Sequence, residues 1–198
     1  MPIIWFAAPE SMAVPEFRRL GLAGLIEIRP DRFKDDRGFF SEVWRDEWLA
    51  DLGPGVSRFV QDNHSFSSAA GIVRGLHYQI EPAAQDKLVR VVRGSVFDVA
   101  VDLRRQSPTF GQCEGLVLSR DEGNMLFVPK GFAHGFMTLE PECEVSYKVS
   151  APYSAELERA IAHDDPDIAI PWPRPGAERL LSPKDRSAPR LAEVSDVF

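Results

Sequence analysis

Cysteine is scarce in this chain of 198 residues, which contains only Cys113 and Cys143. The two are not spaced as Cys-x-x-Cys, so a zinc knuckle is not indicated. A single pair also cannot supply the several bridges on which small secreted domains depend. Because a chain of this length can bury a sizeable core without disulfides or structural metal, we expect a protein of a reducing compartment.

Long apolar segments are also missing, since no run approaches the roughly 20 residues that span a bilayer. The first residues begin apolar but have no basic stretch, and Pro9, Glu10 and Pro15 interrupt them. That pattern is unlike a signal peptide. We therefore expect a cytoplasmic protein that does not enter a membrane.

An excess of positive charge is absent as well, because the formal net charge is −7. This disfavours a nucleic-acid-binding protein. Between Gly71 and Arg105, however, six basic residues stand against four acidic ones. A locally positive region suits a small anionic ligand, although a solvated strand face of mixed charge would have the same composition.

What the chain has in abundance is short β-branched segments separated by turn residues. Strands are predicted at 87–93, 96–103, 114–118, 124–128, 136–139 and 143–149. Within 96–103 the odd-numbered positions are apolar while Asp98 and Asp102 are at even ones, so we expect one core-facing side and one side that offers carboxylates. Many short strands predict an all-β sandwich or barrel such as a jelly roll. Helix is expected only in short pieces, at 45–52 and in the C-terminal third.

The four histidines are the first candidates for chemistry: His64, His77, His134 and His163. His77 is followed at the second position by Gln79 and not by another histidine, which disfavours a metal site. Arg74 and His77 are three residues apart, so a flat strand would place them on opposite faces, unless Gly75 permits a bulge. From the residues alone, both His77 and His134 remain open to a functional or a structural interpretation.

Longer motifs help to decide between the functional and the structural interpretation of these histidines. Pro129-x-Gly131-x-x-His134 matches the second cupin motif. Further motifs lie in order between about residues 24 and 190: DDRGFFSE (35–42), FVQDNHS (59–65), RGLHYQ (74–79), AQDKLVRVVRGSVFDVAVDLRRQSPTFGQ (84–112), VPKGFAHGF (128–136), YK (147–148), YS (153–154), DDPDIAIPWP (164–173) and SPKD (182–185). With these blocks in this order, most of the chain resembles the dTDP-4-dehydrorhamnose 3,5-epimerase family.

The resemblance implies one cupin-type jelly-roll domain over residues 1–198. Residues 1–20 have no match and form an N-terminal extension, interpreted as an edge strand or a mobile segment. The family also implies a homodimer that binds a dTDP-sugar and needs no metal or other cofactor. Exposed sheet edges independently favour pairing with a second copy.

The implied reaction inverts C3 and C5 of a 4-keto-6-deoxyhexose through an enolate. By resemblance, His77 is the base, Asp185 its carboxylate partner and Tyr147 the acid on the opposite ring face. Lys87 matches the cation beside the C4 oxygen, where it would stabilise enolate charge. His134 and Asp98 match a supporting hydrogen-bonded pair. The matched substrate-binding positions are Arg37, Glu42, Gln61, Asn63, Arg74 and Tyr153, with Arg37 expected from a partner subunit.

Four positions depart from the family pattern: Asp86 in place of glycine, Ser146 in place of an apolar residue, Pro152 in place of tyrosine and His163 in place of tryptophan. None removes a proposed catalytic group, but they leave nucleotide and sugar preference open. A relative that inverts one carbon, a non-catalytic sugar-nucleotide-binding cupin and a metal-dependent cupin oxygenase remain alternatives.

Overall fold

The computed structural model describes residues 14–173 and 178–198. Within them the chain forms two large antiparallel sheets and a separate hairpin. The six-stranded sheet contains, in order, β1 (Glu16–Arg19), β2 (Ile26–Arg29), β10 (Met125–Val128), β7 (Lys87–Arg93), β12 (Cys143–Val149) and β5 (Gln61–Ser67). The five-stranded sheet contains β13 (Glu158–Ala160), β6 (Val73–Gln79), β11 (Phe132–Thr138), β8 (Ser95–Asp102) and β9 (Cys113–Ser119). The hairpin consists of β3 (Phe33–Asp35) and β4 (Gly38–Phe40).

Helices are few and short, as predicted. A 3-10 turn at Asp46–Trp48 leads into α1 (Leu49–Leu52), while α2 (Pro183–Arg186) and a 3-10 turn at Leu191–Glu193 lie near the C-terminus. No helix among the described residues has the length and apolarity needed to cross a bilayer. Of the N-terminal extension, residues 1–13 lie outside the described residues, and β1 in its last part is the edge strand of the larger sheet.

The predicted sandwich is confirmed, because the two sheets enclose a shared apolar core. Alternate residues of the central strands point inward: Val89 and Val91 of β7 pack with Val96 and Ala100 of β8. At one end of the same space the inward residues become polar, since Lys87 continues the inward row of β7. The interior is therefore divided between an apolar core and a polar cavity.

Strand β8 is buried on both faces, so the expectation of one core-facing side was wrong. Val96 and Ala100 lie between the sheets, and Val99 and Val101 lie in a second cluster on the outer face. That outer cluster is closed by the C-terminal segment, including Trp172. The alternation of the sequence identified the two faces correctly, but it could not reveal that a distant segment would cover the second one.

Strand β11 begins earlier than predicted, at Phe132, so that His134 lies inside the strand and not in a preceding turn. The Ala-His-Gly sequence there has weak β propensity. Pairing with β8 on one side and β6 on the other nevertheless holds it extended. The predicted strands at 87–93 and 143–149 have the bounds that the structure gives them.

The register between β6 and β11 shifts where Gly75 lies. His77 is opposite His134, whereas Arg74 is opposite Phe136, so β6 has one extra residue. The bulge that the sequence allowed is therefore present, and Arg74 and His77 line the same cavity. Gly75 has φ of 115°, and a Cβ on it would lie 2.7 Å from both Gly135 Cα and the His134 carbonyl oxygen.

We predict that Gly75→Ala destabilises the protein more than Gly53→Ala. Both glycines have a strongly positive φ, 115° and 120°, but a Cβ on Gly53 would meet nothing within 4 Å. Gly53→Ala should therefore cost about 1–3 kcal/mol of backbone strain. Gly75→Ala should cost a further 1–3 kcal/mol or so from overpacking against backbone.

Urea unfolding of the two variants measures this difference. Equal losses of unfolding free energy would contradict the view that the close approach of the Gly75 and Gly135 backbones fixes the bulge.

Candidate active site

A cavity of about 520 Å³ opens between the sheets at the polar end of the interior. The six-stranded sheet contributes Gln61, Asn63, Ser65, Lys87, Tyr147 and Val149. The five-stranded sheet contributes Arg74, His77, Tyr78, Gln79, His134, Phe136 and Glu158. Gln85, Tyr153, Ser182 and Asp185 complete the lining. Nine of the twelve site residues expected from sequence thus line one cavity.

His77 is hydrogen-bonded to a carboxylate that comes from far along the chain. Its Nε2 lies 2.6 Å from Asp185 Oδ1, and Asp185 is only 5% exposed. Asp185 lies in α2, whose N-cap Ser182 donates its hydroxyl to Asp185 Oδ2 over 2.7 Å and accepts the Asp185 N–H at 3.1 Å. One carboxylate oxygen is therefore held by Ser182 while the other faces the imidazole.

The charge state of Asp185 follows from these contacts. Burial by itself favours the neutral acid, but the hydrogen bonds from His77 and Ser182 outweigh it and hold the pKa of Asp185 below its ordinary value. An ionised Asp185 hydrogen-bonds to the His77 ring and so fixes its orientation in the cavity.

Lys87 is a buried cation at the start of β7. Its Nζ donates to the His77 carbonyl over 3.1 Å. Burial lowers the pKa of Lys87 to about 8, although the carboxylates of Asp98 and Glu158 oppose that shift. The ammonium group is thus incompletely solvated and faces a cavity in which an anionic oxygen would interact with it strongly.

His134 and Asp98 form a second buried pair, with His134 Nε2 2.8 Å from Asp98 Oδ1. His134 lines the cavity and Asp98 lies beneath it, fully buried. The other oxygen, Asp98 Oδ2, has no hydrogen-bond partner. This arrangement agrees with a supporting position for Asp98, behind the cavity wall.

Tyr147 projects from the opposite sheet to His77. It lies in the centre of β12, where it pairs with Asn63 of β5 and Val89 of β7. Burial raises the pKa of Tyr147, with nearby Arg74 opposing that rise and Glu158 adding to it. The phenol therefore stays protonated at neutral pH and can donate a proton.

The remaining polar residues define the two ends of the cavity. At one end the Tyr153 N–H donates to Gln61 Oε1 over 3.2 Å, and Gln61 Nε2 donates to Asn63 Oδ1 over 2.8 Å. At the other end Arg74 reaches across to the facing sheet, where it donates to Ser67 Oγ at 3.1 Å and the Phe66 carbonyl at 2.9 Å. A ligand in the cavity would extend from the exposed Tyr153 ring toward Arg74.

Besides Asp98, which lies behind the wall, two expected residues do not line this cavity. Arg37 lies at the turn of the β3–β4 hairpin, where its guanidinium is paired with Asp35. Glu42 follows the hairpin and forms an ion pair with Arg45. Sequence resemblance identified these positions but could not report that the hairpin stands apart from the two sheets that enclose the cavity.

Sequence reasoning missed Glu158, which lines the cavity from β13. Burial raises the pKa of Glu158, but the contacts with Lys184 and Tyr153 outweigh it and leave the pKa lowered. The Tyr153 hydroxyl donates to Glu158 Oε2 over 2.7 Å, and Lys184 of α2 contacts the same oxygen. Lys184 is adjacent to Asp185 in the SPKD block, which was the available signal, whereas nothing in the local sequence marks Glu158.

The departures from the family pattern have different surroundings. The Asp86 carboxylate accepts the backbone N–H groups of Ser57 and Lys130, so it does not pair with the adjacent Lys87. Ser146 faces away from the cavity, on the outer side of β12. His163 is buried, and burial lowers its pKa.

Residues 14–173 and 178–198 contain no cluster of three or more His, Cys, Asp or Glu side chains suited to a metal.

The chain is similar to known proteins in both sequence and structure. The family model described as dTDP-4-dehydrorhamnose 3,5-epimerase matches residues 19–193. A dTDP-4-dehydrorhamnose 3,5-epimerase of Sinorhizobium fredii is 52% identical over 92% of this chain and 92% of its own length.

Two solved structures are similar throughout. The dTDP-6-deoxy-D-glucose-3,5-epimerase of Legionella pneumophila, in complex with dTDP-4-keto-L-rhamnose, has a TM-score of 0.87 at 43% identity and covers 91% of this chain and 95% of its own. The dTDP-4-dehydrorhamnose 3,5-epimerase of Bacillus anthracis, with TDP and pyrophosphate bound, has a TM-score of 0.85 at 46% identity and covers 90% of this chain and 100% of its own. The cupin-type sandwich predicted from sequence is confirmed by this likeness.

We predict that Ser182→Ala weakens the Asp185–His77 pair. The variant loses the helix cap, which should cost about 1 kcal/mol of unfolding free energy, and it should raise the pKa of Asp185 because a hydrogen bond to the carboxylate is lost. A carboxyl group whose pKa is lower in the folded than in the unfolded protein stabilises the fold at pH values above its unfolded pKa. That stabilisation is lost as the pH falls through its folded pKa. The loss of unfolding free energy caused by Ser182→Ala should therefore be smaller at acid pH.

Urea unfolding at several pH values and carboxyl-carbon NMR titration measure both effects. Ser187→Ala is the matched control, since its hydroxyl contacts the Lys184 carbonyl at the other end of the helix. Ser182→Thr keeps a hydroxyl and should restore both the unfolding free energy and the Asp185 pKa. An unchanged Asp185 pKa in Ser182→Ala would contradict the assignment.

Proposed function

The chain belongs to the dTDP-4-dehydrorhamnose 3,5-epimerase family, and we propose that it inverts C3 and C5 of dTDP-4-keto-6-deoxy-D-glucose to give dTDP-4-keto-L-rhamnose. One observation carries the proposal: His77 and Tyr147 project from opposing sheets into a single cavity. A base and an acid on opposite sides of a bound ring are what inversion by proton transfer requires.

The reaction uses the acidity that the C4 carbonyl gives to its neighbours. Removal of a proton from C3 or C5 leaves an electron pair that is delocalised onto the C4 oxygen as an enolate. Return of a proton to the opposite face of the same carbon inverts its configuration. No atom is gained or lost overall.

His77 is the proposed base. Its bond to the buried, ionised Asp185 orients the ring and stabilises the imidazolium that forms when the proton is taken. Ser182 acts behind Asp185 as a positioning residue, because it holds the second carboxylate oxygen.

Tyr147 is the proposed acid on the other face. Because burial raises its pKa, its hydroxyl carries a proton at neutral pH and is available to donate it. Solvent then restores the protonation of both groups, so no metal or organic cofactor is required by this sequence of steps.

Lys87 is the proposed stabiliser of the enolate oxygen. A cation in a water-poor cavity stabilises a developing negative charge more than it would in water. Since burial lowers the pKa of Lys87 to about 8, this contribution should fade as the pH rises through that value.

The nucleotide is proposed to lie toward Tyr153, whose ring would stack on the base. Gln61, Asn63 and Arg74 supply polar groups along the cavity for the diphosphate and sugar. Arg74 offers the planar fork that suits phosphate oxygens. His134, held by Asp98, completes the wall beside the sugar.

We further propose that the active form is a homodimer in which Arg37, with Glu42 close behind it in the chain, serves the partner's cavity. Two features of the β3–β4 hairpin support this. Arg37 does not line the cavity of its own chain. Phe39 and Phe40, adjacent residues of β4, are 47% and 40% exposed, and a second subunit docked on the hairpin would bury part of this apolar surface.

We predict that incubation with dTDP-4-keto-6-deoxyglucose in deuterated buffer introduces deuterium at C3 and C5, observed by proton NMR. His77→Asn should reduce exchange and inversion by roughly 10²- to 10⁴-fold. Tyr147→Phe should keep more exchange than inversion, because the base remains while the opposite-face acid is lost. Trapping the product with a 4-keto reductase reports inversion, and chelator should leave the rates unchanged.

The matched control is His64→Asn, which alters an exposed histidine paired with Glu144 outside the cavity. Exchange at one carbon alone would replace the proposal with a single-carbon epimerase. Binding without exchange, across several nucleotide sugars, would replace it with a sugar-nucleotide-binding protein.

Mixing two inactive variants tests the dimer. If Arg37 serves the partner's cavity, a heterodimer of Arg37→Ala and His77→Asn subunits has one intact site out of two. Random mixing makes about half of the dimers heterodimers, so about one quarter of wild-type activity should return. Sedimentation confirms the mixing, and heterodimers that remain inactive would refute the shared site.

A further inference from the structure

Segment 150–154 forms the cavity wall that carries Tyr153. It connects β12 to the turn before β13 and has no sheet partner of its own among the described residues. Such a connection is ordinarily among the most mobile parts of a protein. Here the backbone from Ala151 onward is bonded, residue after residue, to side chains from other parts of the fold.

Gln79 makes the largest contribution. Its Nε2 donates to the Pro152 carbonyl over 3.2 Å and to the Ala83 carbonyl over 2.7 Å. Its Oε1 accepts the Ser154 N–H at 2.7 Å. Gln79 is only 3% exposed, and both donor hydrogens and the carbonyl oxygen of its amide are occupied by backbone.

Two more glutamines hold the residues between. Gln85 Nε2 donates to the Ala151 carbonyl over 2.8 Å, and Gln61 Oε1 accepts the Tyr153 N–H at 3.2 Å. Each residue from Ala151 to Ser154 therefore has a backbone group bonded to a glutamine. We refer to Gln61, Gln79 and Gln85 as the glutamine clamp.

The segment is also fixed at its start. The Ser150 N–H donates to the Asp86 carbonyl over 3.1 Å, and the Asp86 N–H donates to Ser150 Oγ over 2.8 Å. The clamp thus continues a pairing that begins at the end of β12.

The clamp acts on a residue that has little else to fix it. Tyr153 is 58% exposed, and its hydroxyl contact with Glu158 leaves the ring free of packing on most of its surface. Fixing the backbone beneath an exposed ring removes conformational freedom before a ligand arrives, which lowers the entropic cost of stacking on it. Because amides do not ionise, this positioning is independent of pH.

We propose that Gln79 and Gln85 are positioning residues which, with Gln61, hold segment 150–154 as a fixed wall and preset the Tyr153 ring to stack on the flat base of the nucleotide. The existence of the clamp does not depend on the proposed function, but the identity of the stacked ring does. Gln79 and Gln85 act through the wall and not through contact with the reacting sugar.

Hydrogen exchange of the free protein tests the wall without any substrate. Gln79→Met keeps the length of the side chain but loses all three bonds, and Gln79→Glu keeps only the acceptor while opposing two carbonyls with a carboxylate. Each should speed exchange of the Ala151, Tyr153 and Ser154 amides by about tenfold or more, since one or two lost hydrogen bonds correspond to that factor. Gln106→Met, at an exposed glutamine that does not line the cavity, is the matched control.

Gln85→Met provides a second variant, at a half-buried position, should Gln79→Met fail to fold. Faster exchange concentrated in segment 150–154, with the melting temperature lowered by only about 2–4 °C, is the expected result. Exchange that matches Gln106→Met in both Gln79→Met and Gln85→Met would overturn the clamp.

Binding of dTDP, measured by calorimetry, tests the link to Tyr153. Gln79→Met should weaken dTDP binding about tenfold and raise KM in proportion, while kcat changes by less than about threefold. Deoxyribose 5-diphosphate, which lacks the base, should bind both proteins alike. In a double-mutant cycle, Gln79→Met should add little to Tyr153→Ala, because one variant acts through the other.

Additive losses of dTDP affinity in the double-mutant cycle would overturn the positioning role. An equal loss of affinity for deoxyribose 5-diphosphate would overturn it as well. Failure of the wild-type protein to turn over the dTDP-sugar would count against the proposed function instead, since the exchange experiment stands apart from it.

Discussion

The close approach of two glycine backbones, Gly75 on β6 and Gly135 on β11, is the constraint on which the cavity depends. A Cβ at Gly135 would lie 2.7 Å from the Arg74 carbonyl oxygen, just as one at Gly75 would meet β11. The register shift at this point turns Arg74 to the same side as His77. Without it, the strand would present either the imidazole or the guanidinium to the interior, but not both.

A polar cavity inside a sandwich must be stabilised by its surroundings, because buried charges lose hydration. The structure meets this need with pairs: Asp185 with His77 and Ser182, Asp98 with His134, and Glu158 with Tyr153 and Lys184. Lys87 is the exception, since its Nζ has a backbone carbonyl as hydrogen-bond partner and its carboxylate neighbours act at longer range. Its lowered pKa reflects this incomplete compensation. A cation left in that state gains most from a newly formed anionic oxygen, which is the role proposed for it.

The sequence predicted a large part of this arrangement. The β-branched segments gave the bounds of β7 and β12, and the resemblance identified nine residues that line one cavity. The sequence was less informative about places where segments distant in the chain meet. The second buried face of β8 depends on the C-terminal segment, the early start of β11 depends on its two neighbours, and Glu158 has no local motif. In each case the deciding contact joins residues far apart in the chain, which periodicity within one segment cannot report.

By itself, the sequence determined the class of fold and the chemical types available: alternation along short strands encodes sheet faces, and motifs preserve an imidazole, a phenol, an amine and a carboxylate. Only the tertiary structure decided how these groups meet. It brought Asp185 to within 2.6 Å of His77 across 108 positions of sequence, set Tyr147 on the facing sheet, and used Gln79, the residue that argued against a metal ligand, to bind the backbone around Tyr153. The physical reason is that hydrogen bonding and burial act through space, so the geometry of a site between two sheets exists only once both sheets have formed.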